Sequence, residues 1–280
     1  MPHTSPSATT MTAAPAPVRN DLAAVFVHGT RTSGRIWDEQ AAALSGLGIT
    51  ATAIDLPGHG SRMNEDFDLA SAHEAIREAI AASPAGSKIL LVGLSLGGYL
   101  SLDYAAAHPD RIAGVVAAGC SSETSGKPLR LYRDLAQGAD NARRALSRIG
   151  TRVRGGAVDP CGDGSQPRRA PAARAVPDAR GVAGTPIASE RRPDWRVVTQ
   201  MLTALAGTSA RNNLRAIPAP VWLVSGERCP LRFEARRFLR VRGDLTHTVV
   251  RGAGHDVNTE APAAFNALLA GVVVGGKLRT

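Results

Sequence analysis

Aromatic side chains make up only 4% of this 280-residue chain. A binding pocket must therefore be lined mostly by aliphatic residues and alanine. Cysteine is scarcer still: Cys120, Cys161 and Cys229 form an odd set with no paired spacing. That set excludes a disulfide framework and a zinc site, and it fits a reducing compartment, so the expected location is cytoplasmic. No apolar run reaches the length needed to span a membrane, and no membrane partner is expected. Residues 1–20 are rich in Ser, Thr, Ala and Pro. They lack a positively charged start followed by an apolar stretch, and read as a disordered leader rather than a signal peptide. Acidic residues are in deficit, 24 against 33 Lys and Arg, for a net charge of +9. The basic residues are scattered and no platform of basic and aromatic residues appears. A solvated basic face is the expectation, with no nucleic-acid partner.

What is present is an alternation of short apolar runs with helical patterns. Runs of strand length occupy residues 23–27, 49–54, 88–92, 112–118, 221–224 and 246–250. Helical spacing covers 36–47, 69–82, 97–107, 233–239 and 261–272, and in the second of these Ala72, Ala75, Ile76, Ala79 and Ile80 share one side. Six strands separated by helices predict an α/β fold with a mostly parallel sheet flanked by helices. Residues 21–120 and 213–280 would form that core. Residues 121–212 read as an inserted helical and irregular cap, with a helix at 129–149 and another at 197–205. Between them, residues 151–195 hold no Leu, Phe, Tyr or Met and are dominated by Arg, Pro, Gly and Ala. Such a stretch buries little apolar surface and is expected to be poorly ordered.

Gly93-Leu-Ser-Leu-Gly97 stands between a buried strand and a helix. The string alone would also suit a helix N-cap serine after a glycine turn. In this setting the serine sits on a sharp strand-to-helix turn, where side chains at the two glycines would clash. Its hydroxyl is exposed at the sheet edge, and the next helix N-terminus points at any developing negative charge. Late in the chain, His255 follows an apolar strand and a Gly-Ala-Gly turn, a setting that suits a general base.

His28-Gly29-Thr30, Asp55-Leu-Pro-Gly-His-Gly-Ser61, the serine turn and Gly252-Ala-Gly-His255 occur in that order. Together they resemble the α/β-hydrolase superfamily, in its cofactor-free esterase and peptidase-like branch. The resemblance covers most of the chain outside the cap. It implies Ser95 as nucleophile and His255 as base, with the backbone N–H groups of Thr30 and Leu96 as the oxyanion hole. It implies no metal and no organic cofactor. His28 and His59, beside glycines in turns, read as packing or hydrogen-bonding residues, and Trp37 as a core anchor.

The third triad member departs from the pattern. Where a carboxylate is expected after the fifth strand, the chain reads Gly226-Glu-Arg-Cys229. A thiol at the acid position would neither hold the imidazole tautomer nor stabilise imidazolium as a carboxylate does. Either Glu123 or Glu227 supplies the acid instead, or the enzyme is weak or dead. The leading expectation is a serine hydrolase that cleaves a carboxylic ester, thioester or related acyl bond of a small molecule through a Ser95 acyl-enzyme. The alternatives are a C–C hydrolase, lyase or haloperoxidase-like reaction on the same residues, and a scaffold retained for binding.

Overall fold

The computed structural model describes residues 19–125, 195–275 and 278–279. Of the expected leader at 1–20, residues 1–18 lie outside the described residues, as do the expected helix at 129–149 and residues 151–194. Residues 19 and 20 are not leader but open the first strand, with Arg19 paired to Ile49.

Six strands form one sheet: β1 (Arg19–Val27), β2 (Ile49–Ile54), β3 (Lys88–Leu94), β4 (Ile112–Ala118), β5 (Val221–Gly226) and β6 (Thr246–Val250). Their order is β2-β1-β3-β4-β5-β6, and every neighbouring pair is parallel. The helices are α1 (Asp38–Ser45), α2 (Leu69–Ala82), α3 (Leu96–Ala107), α4 (Trp195–Ala206), α5 (Ala210–Ala216), α6 (Ala235–Leu239), α7 (Val257–Glu260) and α8 (Pro262–Gly275).

Side chains alternate across a strand, so a sheet covered on both faces needs apolar residues at consecutive positions. In β1, Ala23, Val25 and Val27 enter the core beneath α2, α3, α4 and α5, while Leu22, Ala24 and Phe26 enter the core beneath α1 and α8. Ala72, Ala75, Ile76, Ala79 and Ile80 are the buried face of α2, and Asp68 closes its N-terminus with a reciprocal bond pair to Ser71. Trp37 is fully buried, with ring centroids 5.2 Å from Phe26 and 5.6 Å from Phe265, and so anchors the second core.

The chain leaves β1 for β2 on one side and returns to β3 on the other. The adjacent ends of β1 and β3 are thus a switch point, the place where open parallel sheets form a crevice beyond their carboxyl edge. Both the His28-Gly29-Thr30 turn and Ser95 stand there. Three local differences from the sequence pattern appear. Residues 34–37 form a 3-10 turn ahead of α1, and the short helices α5 and α7 carry too few turns to show a period. Among the described residues, no helix is long and apolar enough to cross a membrane.

Candidate active site

β3 hands directly into α3 through Ser95, whose backbone is at φ 54° and ψ −115°. A left-handed φ costs a non-glycine residue on the order of 1–3 kcal/mol, so the turn persists only because its surroundings fix it. Ser95 N–H donates to the Ala118 carbonyl at 2.7 Å, and the Ser95 carbonyl accepts from Tyr99 N–H at 3.1 Å. A Cβ at Gly93 would collide with the Gly97 carbonyl, and one at Gly97 with that of Val27. The two glycines are what allow strand, turn and helix to close on one another.

Leu96 is the first residue of α3, where no carbonyl lies four residues back within the helix to receive its N–H. The turn carrying Thr30 is pinned by two buried histidines. His28 donates from Nδ1 to the Gly29 carbonyl at 2.8 Å and accepts Leu56 N–H at Nε2, 3.0 Å. His59 donates from Nδ1 to the Pro57 carbonyl at 3.0 Å and accepts Arg31 N–H at Nε2, 3.1 Å. Each ring is a donor at one nitrogen and an acceptor at the other, which requires the neutral form. Burial, the largest cause, accordingly lowers the His28 pKa to about 3. Asp55 completes this support by accepting the N–H groups of Gly34 at 2.8 Å and Ser61 at 2.7 Å. Among the described residues neither Thr30 nor Leu96 spends its N–H on another protein group. Gly29 lies against Ser95: a Cβ there would stand 3.5 Å from that of the serine.

His255 reaches the same end of the sheet from the loop after β6. Its imidazole rests on Gly119, immediately beyond β4, where a Cβ would stand 3.2 Å from Cε1. Gly119 has φ 61°, a second reason for glycine there. The loops after β5 and β6 are joined by Glu227 N–H to the Val250 carbonyl and Arg228 N–H to the Ala253 carbonyl, both at 2.9 Å. This joint carries Cys229 to the imidazole: its Sγ lies 3.2 Å from His255 Nδ1. Glu260 brackets the histidine by accepting Gly254 N–H at 2.7 Å and Asp256 N–H at 3.2 Å.

Neither expected substitute carboxylate reaches His255. Glu123 is buried at the start of α5, where it accepts Ala210 N–H at 3.1 Å, Thr124 N–H at 2.9 Å and Arg211 Nε at 2.8 Å. Those donors outweigh burial and hold its pKa at about 2. Glu227 is turned to Gly252 N–H at 2.9 Å. The group on Nδ1 is the thiol that the sequence places at the acid position.

A carboxylate on Nδ1 only accepts, which obliges the proton onto Nδ1 and leaves Nε2 free to take one from a serine. A thiol accepts weakly and also donates. Burial raises the Cys229 pKa, so the sulfur carries its proton at neutral pH. When S–H donates to Nδ1, the imidazole holds its own proton on Nε2 and cannot act as a base there. Burial also lowers the His255 pKa, with Asp256 and Glu260 pulling it partly back. Sequence patterns left Gly119 and Glu260 unmarked. A glycine directly after a strand was the available sign of the first, while the second acts across a turn that leaves no periodic trace. No cluster of three or more His, Cys, Asp or Glu suited to a metal ion occurs among the described residues.

A strained serine between strand and helix, a pinned turn beside it and a late-chain histidine at the same sheet edge define the nucleophile-elbow class. The chain belongs to the alpha/beta hydrolase family, whose model matches residues 24–268. It is 36% identical over 107 residues to a protein of Oryza sativa named Probable esterase PIR7A, a match covering 37% of this chain and 40% of that one. The shared region is thus less than half the length of that curated relative. A longer match, 27% identical over 89% of this chain and 90% of the relative, is to 2-succinyl-6-hydroxy-2,4-cyclohexadiene-1-carboxylate synthase of an Enterobacter species. Among solved structures, a thermophilic esterase from Thermogutta terrifontis shares the fold with TM-score 0.62 at 17% identity, covering 92% of this chain and 90% of that one.

Proposed function

We propose that the protein is a serine hydrolase acting on a carboxylic ester, thioester or related acyl bond of a small molecule, slowed by the thiol at its acid position. The observation that carries this is the 3.2 Å contact of Cys229 Sγ with His255 Nδ1 at the sheet edge that bears the strained Ser95 turn. Ser95 Oγ attacks the acyl carbon while its proton passes to His255 Nε2. The N–H groups of Thr30 and Leu96 hold the oxyanion. The tetrahedral intermediate expels the alkoxide or thiolate, which takes the proton from His255. Water, deprotonated by the same histidine, then releases the acyl group. The esterase relatives support this choice of bond. The free thiols of Cys120 and Cys229 support a reducing, cytoplasmic setting.

Cys229→Asp tests the proposal by restoring an acceptor-only group on Nδ1. Turnover of a short-chain aryl ester is expected to rise at least about a hundredfold, a fraction of the ~10⁴-fold lost when a protease triad acid becomes its amide. No rise in a folded variant sinks the proposed role of position 229. A second reading draws on the synthase-named relative, whose match runs nearly end to end: the same residues would then transform a substrate without net acyl transfer to water. Product analysis separates the two, since only hydrolysis incorporates solvent oxygen into a released carboxylate.

A further inference from the structure

Away from Ser95, the surface between α5 and α6 forms a cleft of about 320 Å³ lined by Arg211, Arg215, Arg237, Arg240 and Val241. We propose that this cleft is a binding site for a small ligand bearing two or more phosphates. Two of its arginines are set in place by buried acids. Glu123, 6% exposed, takes Arg211 Nε at 2.8 Å, and Glu234, 7% exposed, takes Arg237 Nη1 at 3.0 Å. Glu234 also accepts Glu123 N–H at 2.7 Å, so the two acids form one rigid support beneath the cleft. Holding a guanidinium in place lowers the entropy lost when its remaining N–H groups grip a ligand.

The charges do not cancel. Among the described residues four guanidiniums face two carboxylates, which leaves an excess of two positive charges around the cleft. Arg215 spends Nη1 on the neutral Asn212 side chain at 2.8 Å, and Arg240 has no acidic partner among the described residues. Each guanidinium presents paired N–H donors that match the oxygens of a phosphate. Among the described residues Val241 is the one apolar member of the lining, so these walls offer little to a fatty or aromatic body. The volume lies at the small end of ligand pockets, roughly 300–1,000 Å³. A diphosphate group fits that combination of size, charge and polarity. Its binding is read without turnover, so it stands apart from the acyl-transfer proposal.

The test is calorimetric titration of the full chain with pyrophosphate and with ADP in about 150 mM NaCl, where long-range attraction is screened beyond ~8 Å. Saturable one-to-one binding of pyrophosphate is expected. Affinity should drop at least about tenfold in Arg215→Gln/Arg240→Gln, which leaves both buried acids and their arginines in place. It should hold in Arg35→Gln/Arg77→Gln, which removes the same charge outside the cleft. Far-UV circular dichroism checks that both variants are folded. ADP binding as tightly as pyrophosphate, or more tightly, upholds the site and assigns it to a nucleotide tail. Pyrophosphate binding without ADP upholds it for a compact ligand. Absence of binding to the wild type, or equal weakening in both double variants, overturns the proposal.

Discussion

At residue 229 the difference between sulfur and carboxylate oxygen decides which imidazole nitrogen carries the proton. His255 must be neutral to act as a base, and its pKa lies below the ordinary 6.5 because it is buried. On the proposed mechanism activity is expected to be lost as pH falls through that lowered pKa, with the acid limb of kcat/KM below the usual imidazole value. A carboxylate at 229 favours imidazolium and raises the pKa. In Cys229→Asp the acid limb should shift to higher pH even as the plateau rises. Profiles of both proteins on one ester measure this. A limb that stays in place while turnover rises would separate residue 229 from the titration of His255.

The elements act chiefly through their ends. β3 delivers Ser95, β4 delivers Gly119, and the joined loops after β5 and β6 deliver Cys229 and His255. Gly119→Ala sets a methyl group 3.2 Å from the imidazole on a left-handed backbone. It is expected to cost roughly 1–2 kcal/mol of stability and to lower kcat more than it raises KM. Kinetics with thermal unfolding check this; a kcat equal to wild type would mean that the imidazole does not depend on that surface. The central strands were legible in the sequence because both their faces are buried, giving continuous runs such as residues 88–92 and 112–118. α2 was legible because five apolar residues return to one side. α5 was not: its Ser209 cap, accepting Asn212 N–H at 3.3 Å, precedes only seven residues, two of them Asn. The serine turn and the vacant acid position were readable from motif order. Where Glu123 goes was not, because its partner is a helix that the pattern does not reveal.

At the scale of the molecule, burial depresses every imidazole whose titration is clearly displaced among the described residues: His28, His59, His247 and His255. In the unfolded chain these rings take up protons near 6.5, which the folded chain refuses, with His28 neutral down to about 3. Their contribution to stability is complete above the unfolded value and is lost as pH falls from there toward the folded values. Glu123 adds a second, more acidic window, with stability present above its ordinary 4.5 and lost toward about 2. The urea midpoint should therefore begin to fall between about pH 6.5 and 5, before the carboxylates titrate. A midpoint that is flat over that interval would contradict the neutral, hydrogen-bonded roles of His28 and His59.

The central claim, that Ser95 is a nucleophile served by His255 despite the thiol at 229, is tested most directly by labelling the purified protein with a fluorophosphonate and mapping the adduct by peptide mass spectrometry. The expected result is slow, specific labelling of Ser95 that is absent in Ser95→Ala and faster in Cys229→Asp. A folded wild type and a folded Cys229→Asp that both leave Ser95 unmodified would contradict it.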